Sequence, residues 1–214
     1  MTFKVTCSIN MDNKPVKGQY MEVLLRSPYT VFSTKDVSLL WSEEKKHIIS
    51  SRLHKYSKAG KLVKVRRGFY AKDKNYNRFE LATRIYTPSY ISFETVLTRT
   101  GVNFQHYNKI FVATYVTREI QVDGQKISFV RMKDYVLRNT IGIEHGGGIA
   151  TATKERAFLD RLYISKEYHF DAIESLNWEK VFEILPIYHN KRLEKKVRMY
   201  FEYKNAQTSN TDTI

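Results

Sequence analysis

The sequence predicts an α+β protein: an N-terminal winged helix-turn-helix followed by a mixed α/β C-terminal domain. Three observations carry this expectation. Residues 20–71 hold three short amphipathic segments and then two apolar strands around a glycine turn, helix-helix-helix-hairpin in about 55 residues. Residues 72–78, Lys-Asp-Lys-Asn-Tyr-Asn-Arg, break the pattern with a polar run. Beyond them, helical and β-branched segments alternate without an internal repeat. The domains expected are 17–75 and 79–204, with 205–214 a disordered tail because it is small and polar.

The elements follow in order. Residues 1–16 read as an irregular arm. Residues 20–26 form a short helix with Met21, Leu24 and Leu25 on one side, ended by Pro28, since the residue before a proline is pushed out of the helical region. Ser33 begins a second helix: its hydroxyl can cap free amides, and Asp36 sits in the positive first turn. Val37, Leu39 and Leu40 supply its buried side, and Trp41 and Ser42 make the turn. Ser42 is read as the cap of a third helix over residues 43–58. Glu43 and Glu44 lie at its start and Arg52, Lys55 and Lys58 toward its end, as the helix dipole favours. Gly60 closes it. Residues 62–65 and 69–71 then pair across Arg66-Arg67-Gly68.

In the second domain, residues 79–86 and 92–99 read as helices, with Ser92-Phe93-Glu94 as a capping sequence. Residues 110–116 read as a strand. Residues 127–132 pair with it or with residues 119–122, across the turn Val122-Asp123-Gly124-Gln125. Gly146-Gly147-Gly148 is a loop. Thr153 caps a helix to about Tyr163 with Ala157, Phe158 and Leu162 inward, and residues 178–185 and 191–203 are helical.

The charge points to a polyanion. The 214 residues carry a net +14, where a small domain needs only about 2–8 for solubility. Residues 1–75 hold 16 Lys and Arg against 6 Asp and Glu, and residues 76–214 the remaining 20 against 16. The excess is therefore concentrated in the first third. Its third helix divides into two faces: Ile49, Leu53 and Tyr56 pack inward, while His47, Ser50, Ser51, His54, Lys55 and Lys58 lie on or near the opposite side. Such donors and acceptors suit base edges in a major groove. Lys61, Lys64, Arg66 and Arg67 crowd the hairpin, where they would meet phosphate or the minor groove. Double-stranded DNA is the partner this pattern predicts.

Other chemistry is not signalled. The lone Cys7 excludes an internal disulfide and a cysteine-rich zinc site and fits a reducing cytoplasm. No run of 18 apolar residues predicts a membrane span, and residues 1–17 lack the pattern of a secretory signal. His145-Gly146-Gly147-Gly148 lacks the Lys-Ser/Thr end of a P-loop. The six histidines are scattered, so no metal site is expected, and no cofactor either. Glu155 and Asp160, five apart on one helix, do not share a face; Asp160 beside Arg161 reads as a structural acid. No nucleophile has a nearby base, so an enzyme is not expected.

Four stretches resemble the AbiEi family of antitoxins, transcriptional regulators of abortive-infection (viral defence) systems. They are Leu62-Val63-Lys64-Val65-Arg66-Arg67-Gly68-Phe69-Tyr70; Tyr90-Ile91-Ser92-Phe93-Glu94-Thr95-Val96-Leu97 with Gly101; Phe111-Val112-Ala113-Thr114 with Arg118; and Ile149-Ala150-Thr151-Ala152-Thr153-Lys154-Glu155-Arg156-Ala157-Phe158-Leu159-Asp160. The second is similar to the family's Tyr-Ile-Ser-Leu-Glu-Ser-Ala-Leu pattern and the fourth to its Ala-Thr-Pro-Glu-Lys-Ala-Leu-Leu-Asp pattern. Lys154 stands where proline is usual and Phe158 where leucine is usual. The resemblance spans residues 20–165. It implies a bicistronic toxin-antitoxin operon in which the N-terminal domain represses transcription at an operator of inverted repeats. The C-terminal domain would counter a nucleotidyltransferase-like toxin, commonly without a stable complex.

One further basic surface is read in the C-terminal domain. Lys191, Lys195 and Arg198 share a helix face, with Arg192 and Lys196 in an adjacent row and Leu193, Val197 and Tyr200 turned inward. The competing readings are a regulator of another defence or mobile-element operon, a nuclease using Glu94, Glu155 and Asp160, and an RNA-binding module.

Overall fold

The computed structural model describes Pro15 and residues 18–211, without the side chains of 207–211. The expected arm over residues 1–16, Cys7 included, lies almost wholly outside the described residues. The chain divides into two units between Asn77 and Arg78, inside the polar run. Among the described residues no helix is long and apolar enough to cross a membrane.

The N-terminal unit runs α1 (Tyr20–Arg26), β1 (Val31–Ser33), α2 (Thr34–Leu40), α3 (Lys46–Lys58), β2 (Val63–Arg66) and β3 (Phe69–Ala71). The strands form an antiparallel sheet in the order β1-β3-β2. Strand β1 is an addition to the sequence reading. Three residues are too few to show a period, but Val31 and Phe32 are fully buried and pair with Ala71 and Tyr70. Ser33 ends that strand and caps α2 in a capping box: its Oγ accepts from the Asp36 amide at 3.2 Å, and its own amide donates to Asp36 Oδ2 at 2.7 Å. Leu24, Phe32, Val37, Trp41, Ile49 and Leu53 make the core.

Two expectations fail here. Leu39 is 74% exposed: it lies on the opposite side of α2 from Val37, whose face is continued by Leu40 and Trp41 at spacings of three and four. Ser42 does not cap the third helix. It adopts φ +47°, its amide bonds back to Leu39 O, and buried Glu43 accepts from the Lys45 amide at 3.2 Å. Residues 42–45 are spent reversing the chain, so α3 begins at Lys46 rather than at 43.

The C-terminal unit is built on a six-stranded mixed sheet, order β6-β7-β5-β4-β9-β8. Its strands are β4 (Tyr90–Ile91), β5 (Lys109–Thr114), β6 (Arg118–Val122), β7 (Gln125–Arg131), β8 (Ile143–Gly146) and β9 (Ile149–Ala152). β7 pairs with both expected partners, antiparallel to β6 across Asp123-Gly124 and parallel to β5. Gly147 and Gly148, both at positive φ, are the two-residue turn of the β8–β9 hairpin rather than part of a longer loop. The helices are α4 (Arg78–Ile85), α5 (Glu94–Arg99), α6 (Asp134–Leu137), α7 (Lys154–Ile164), α8 (Trp178–Ile184) and α9 (Lys191–Thr211). Helix α9 extends well past Tyr203, into the segment expected to be a disordered tail. No glycine or proline interrupts residues 204–211, and Asn, Gln, Ser and Thr each cost a helix only tenths of a kcal/mol once it is nucleated. Residues 212–214 lie outside the described residues.

Helix α7 is the hub of this unit. Phe158 meets Trp178 and Tyr200 edge-on, with centroids 5.8 and 5.9 Å away. Arg156 and Asp160, one turn apart and fully buried, centre a polar network. The guanidinium donates to Val136 O (2.7 Å), Ile141 O (2.7 Å), the Tyr90 hydroxyl (3.1 Å) and Asp160 (3.3 Å). Asp160 also accepts from Ser92 Oγ and Tyr188 Oη, each at 2.7 Å, and from Tyr90 Oη at 3.2 Å. Ser92 is therefore not a helix cap. The residue at that position is Phe93, at φ +55°, with its ring in the core.

Candidate nucleic-acid interface

The N-terminal unit holds α3 by its apolar face. Ile49 and Leu53 are buried and Tyr56 is half-buried, meeting Trp41 edge-on at 6.3 Å. Trp41 donates its indole N–H to Tyr20 O at 2.9 Å, which ties the end of α2 to α1. Arg52 is taken out of the exposed set by the same core: its guanidinium lies 3.6 Å from the centroid of the Tyr20 ring.

The opposite face is open. His47, Ser50, Ser51, His54, Lys55 and Lys58 are all exposed. They fall at i, i+3, i+4, i+7, i+8 and i+11, so they form one stripe along a helix about 20 Å long. Moving the helix start to Lys46 puts exposed Lys45 and Lys46 at its N-terminal end, next to His47. The sequence reading missed these two because it counted the helix from Glu43. A signal was present: from Lys45 to Lys72 the chain contains no Asp or Glu. A run of 28 residues without a carboxylate leaves the helix and hairpin nothing to neutralise their cations internally.

The hairpin follows directly. Lys61, Lys64 and Arg67 are exposed. The β2–β3 register shifts between Lys64 and Arg66, since Lys64 faces Tyr70 while Arg66 faces Phe69. This bulge re-aims the strand end. Arg66 is thereby only half exposed, with its Nη1 shielded, so Arg67 is the freer cation at the tip. Gly68, at φ +82°, makes the turn, and its carbonyl accepts from the Thr34 amide at 3.0 Å, fixing the hairpin turn to the start of α2. Lys72 is a structural cation, donating to Leu25 O and Ser27 O at the end of α1.

In the C-terminal unit the five expected cations separate. Lys191, Arg192, Lys195 and Arg198 are exposed, and Leu193 and Val197 are buried beneath them. Lys196 is instead tied down, donating to Leu162 O and Ser165 O at the end of α7; burial lowers its pKa. Of the three acids weighed as catalytic, Glu94 pairs with Arg161 at 3.1 Å, Glu155 accepts from the Asn177 amide at 3.1 Å, and Asp160 belongs to the buried network. Each holds two elements together. No family model matches this sequence, and no curated protein matches it.

Proposed function

We propose that this chain is a cytoplasmic DNA-binding transcriptional autorepressor and antitoxin, its N-terminal unit a winged helix-turn-helix that reads operator DNA. The observation that carries the reading is the exposed stripe of α3, six polar or cationic side chains with no carboxylate, flanked by a hairpin bearing Lys64 and Arg67. The order helix, strand, helix, helix, hairpin with a three-stranded sheet supports the reading as a winged module. A helix about 10–12 Å wide fits a major groove about 12 Å wide. The roles divide accordingly: Ser50, Ser51, His47 and His54 meet base edges, while Lys55, Lys58, Lys61, Lys64 and Arg67 meet phosphate.

The antitoxin half rests on the four stretches that resemble the AbiEi antitoxins, three of which lie in the C-terminal unit. The toxin countered is nucleotidyltransferase-like. The test is one strain carrying a reporter on the chain's own upstream DNA and an inducible gene for such a toxin. Ser51→Ala with His54→Ala should abolish repression and preserve rescue. Charge reversal at Lys191, Lys195 and Arg198 should do the opposite. A wild-type chain that neither represses nor rescues contradicts the proposal.

A further inference from the structure

One line of side chains along α9 carries both cations and large exposed apolar groups. Arg192, Lys196, Met199 and Tyr203 recur at spacings of four, three and four, so they lie in a line along the helix. Two surface hollows open along this line, of about 560 and 440 Å³, and they share Lys166 and Lys196. The first is cationic: Lys166, Lys191 and Arg192 are exposed around it, beside His189 and the Tyr163 ring. The second is aromatic: Tyr168 and Tyr200 form its half-buried floor, and Met199 and Tyr203 stand 60% and 58% exposed at its edge. Large apolar side chains that open beside a cluster of cations are unexpected on a surface that only faces water. Among the described residues Glu167 is the one carboxylate lining either hollow.

From these observations we infer that the C-terminal unit binds a single strand of nucleic acid along α9, phosphates over Lys166, Lys191 and Arg192 and a base stacked on Tyr203 and Met199. A cationic hollow adjoining an aromatic one suits this ligand, because a single strand offers both phosphates and flat bases. Length separates a strand from a mononucleotide. From Lys191 to Tyr203 the helix rises about 18 Å, whereas stacked nucleotides advance about 3.4 Å each. The track therefore accommodates several nucleotides. An acidic peptide would satisfy the cations but leave Met199 and Tyr203 unused. Lys196, held by the carbonyls at the end of α7, fixes the junction of the two hollows. The inference stands whether or not the N-terminal unit reads duplex DNA.

The test is fluorescence anisotropy of labelled dT10 and rU10 with the full chain at low salt, the two probes separating DNA from RNA. Arg192→Glu with Tyr203→Ala should weaken binding of the preferred probe at least tenfold. Arg192→Lys with Tyr203→Phe should stay within about twofold of wild type, as should Lys133→Ala with Lys180→Ala, exposed lysines that line neither hollow. Circular dichroism checks that each variant is folded. The inference is overturned by unchanged affinity in the Glu/Ala variant, by an equal loss in the Lys133/Lys180 variant, or by polyglutamate or ATP displacing the probe as well as unlabelled decamer does.

Discussion

Replacing Arg156 by Leu tests how the C-terminal unit is held together. The side chain is fully buried and donates to two carbonyls at 2.7 Å, to Tyr90 Oη at 3.1 Å and to Asp160 at 3.3 Å. Leucine fills much of the volume but supplies no donor. Asp160 then remains buried without its counter-cation, although Ser92, Tyr90 and Tyr188 still donate to it. Each orphaned buried acceptor costs about 1–3 kcal/mol, and breaking one side of a buried ion pair costs about 3–5 kcal/mol in total. For a unit of this size that corresponds to a fall in Tm of roughly 10–20 °C. Differential scanning calorimetry would read it. Asp160→Asn, which keeps an acceptor for the hydroxyls, should restore part of the loss when combined with Arg156→Leu, with a coupling of at least about 1 kcal/mol. A single-variant loss under about 1 kcal/mol, or strict additivity in the double variant, would refute the view that these residues form one network.

Lys64→Ala with Arg67→Ala should weaken operator and unrelated duplex alike and flatten the dependence of log affinity on log salt by about 0.9 for each phosphate no longer neutralised; an unchanged slope removes the hairpin from the interface. Ser51→Ala or His54→Ala should each reduce the preference for operator by about 1–3 kcal/mol, measured as the ratio of the two affinities, and a constant ratio in both excludes them from base reading. Burial, and then the neighbouring Asp160, push the Tyr90 and Tyr188 hydroxyls well above the usual value of 10. Their folded values exceed their unfolded ones, so the stability they hold is fully present below pH 10 and is lost as pH rises beyond it. Tm should therefore decline above pH 10, and a phenolate absorbance titration should show a subset of the 15 tyrosines ionising only with unfolding; a single transition near pH 10 for all of them would contradict this.

The sequence was legible where one residue did one local job. Ser33 with Asp36 announced a helix start, Thr153 another, and Gly60 and Gly68 marked turns that need positive φ. It misled where a side chain served a distant partner. Ser92 looked like a cap but is claimed by Asp160, 68 residues away. Ser42 looked like a cap but sits in a reversal imposed by the burial of Trp41 and Glu43. Strands β1 and β4, three and two residues long, are too short to display a period, and tertiary pairing alone makes them strands. The exposed stripe of α3 was readable because its apolar counterpart is regular. The half-burial of Arg66 was not, since it follows from a bulge in β2 that no residue pattern marks. Nor was the line along α9, because the cations that dominate its sequence divide between two faces, and Lys166 comes from a separate segment.

The most direct test of the central claim is the ratio of affinities of the full chain for duplex DNA from its own upstream region and for unrelated duplex of equal length, at physiological salt. A winged reader predicts a ratio of about 10³ or more, collapsing toward unity when Ser51 and His54 are both replaced by alanine. A ratio near one for the wild-type chain, or a high ratio that survives the double replacement, would contradict the assignment of α3 as the element that reads DNA.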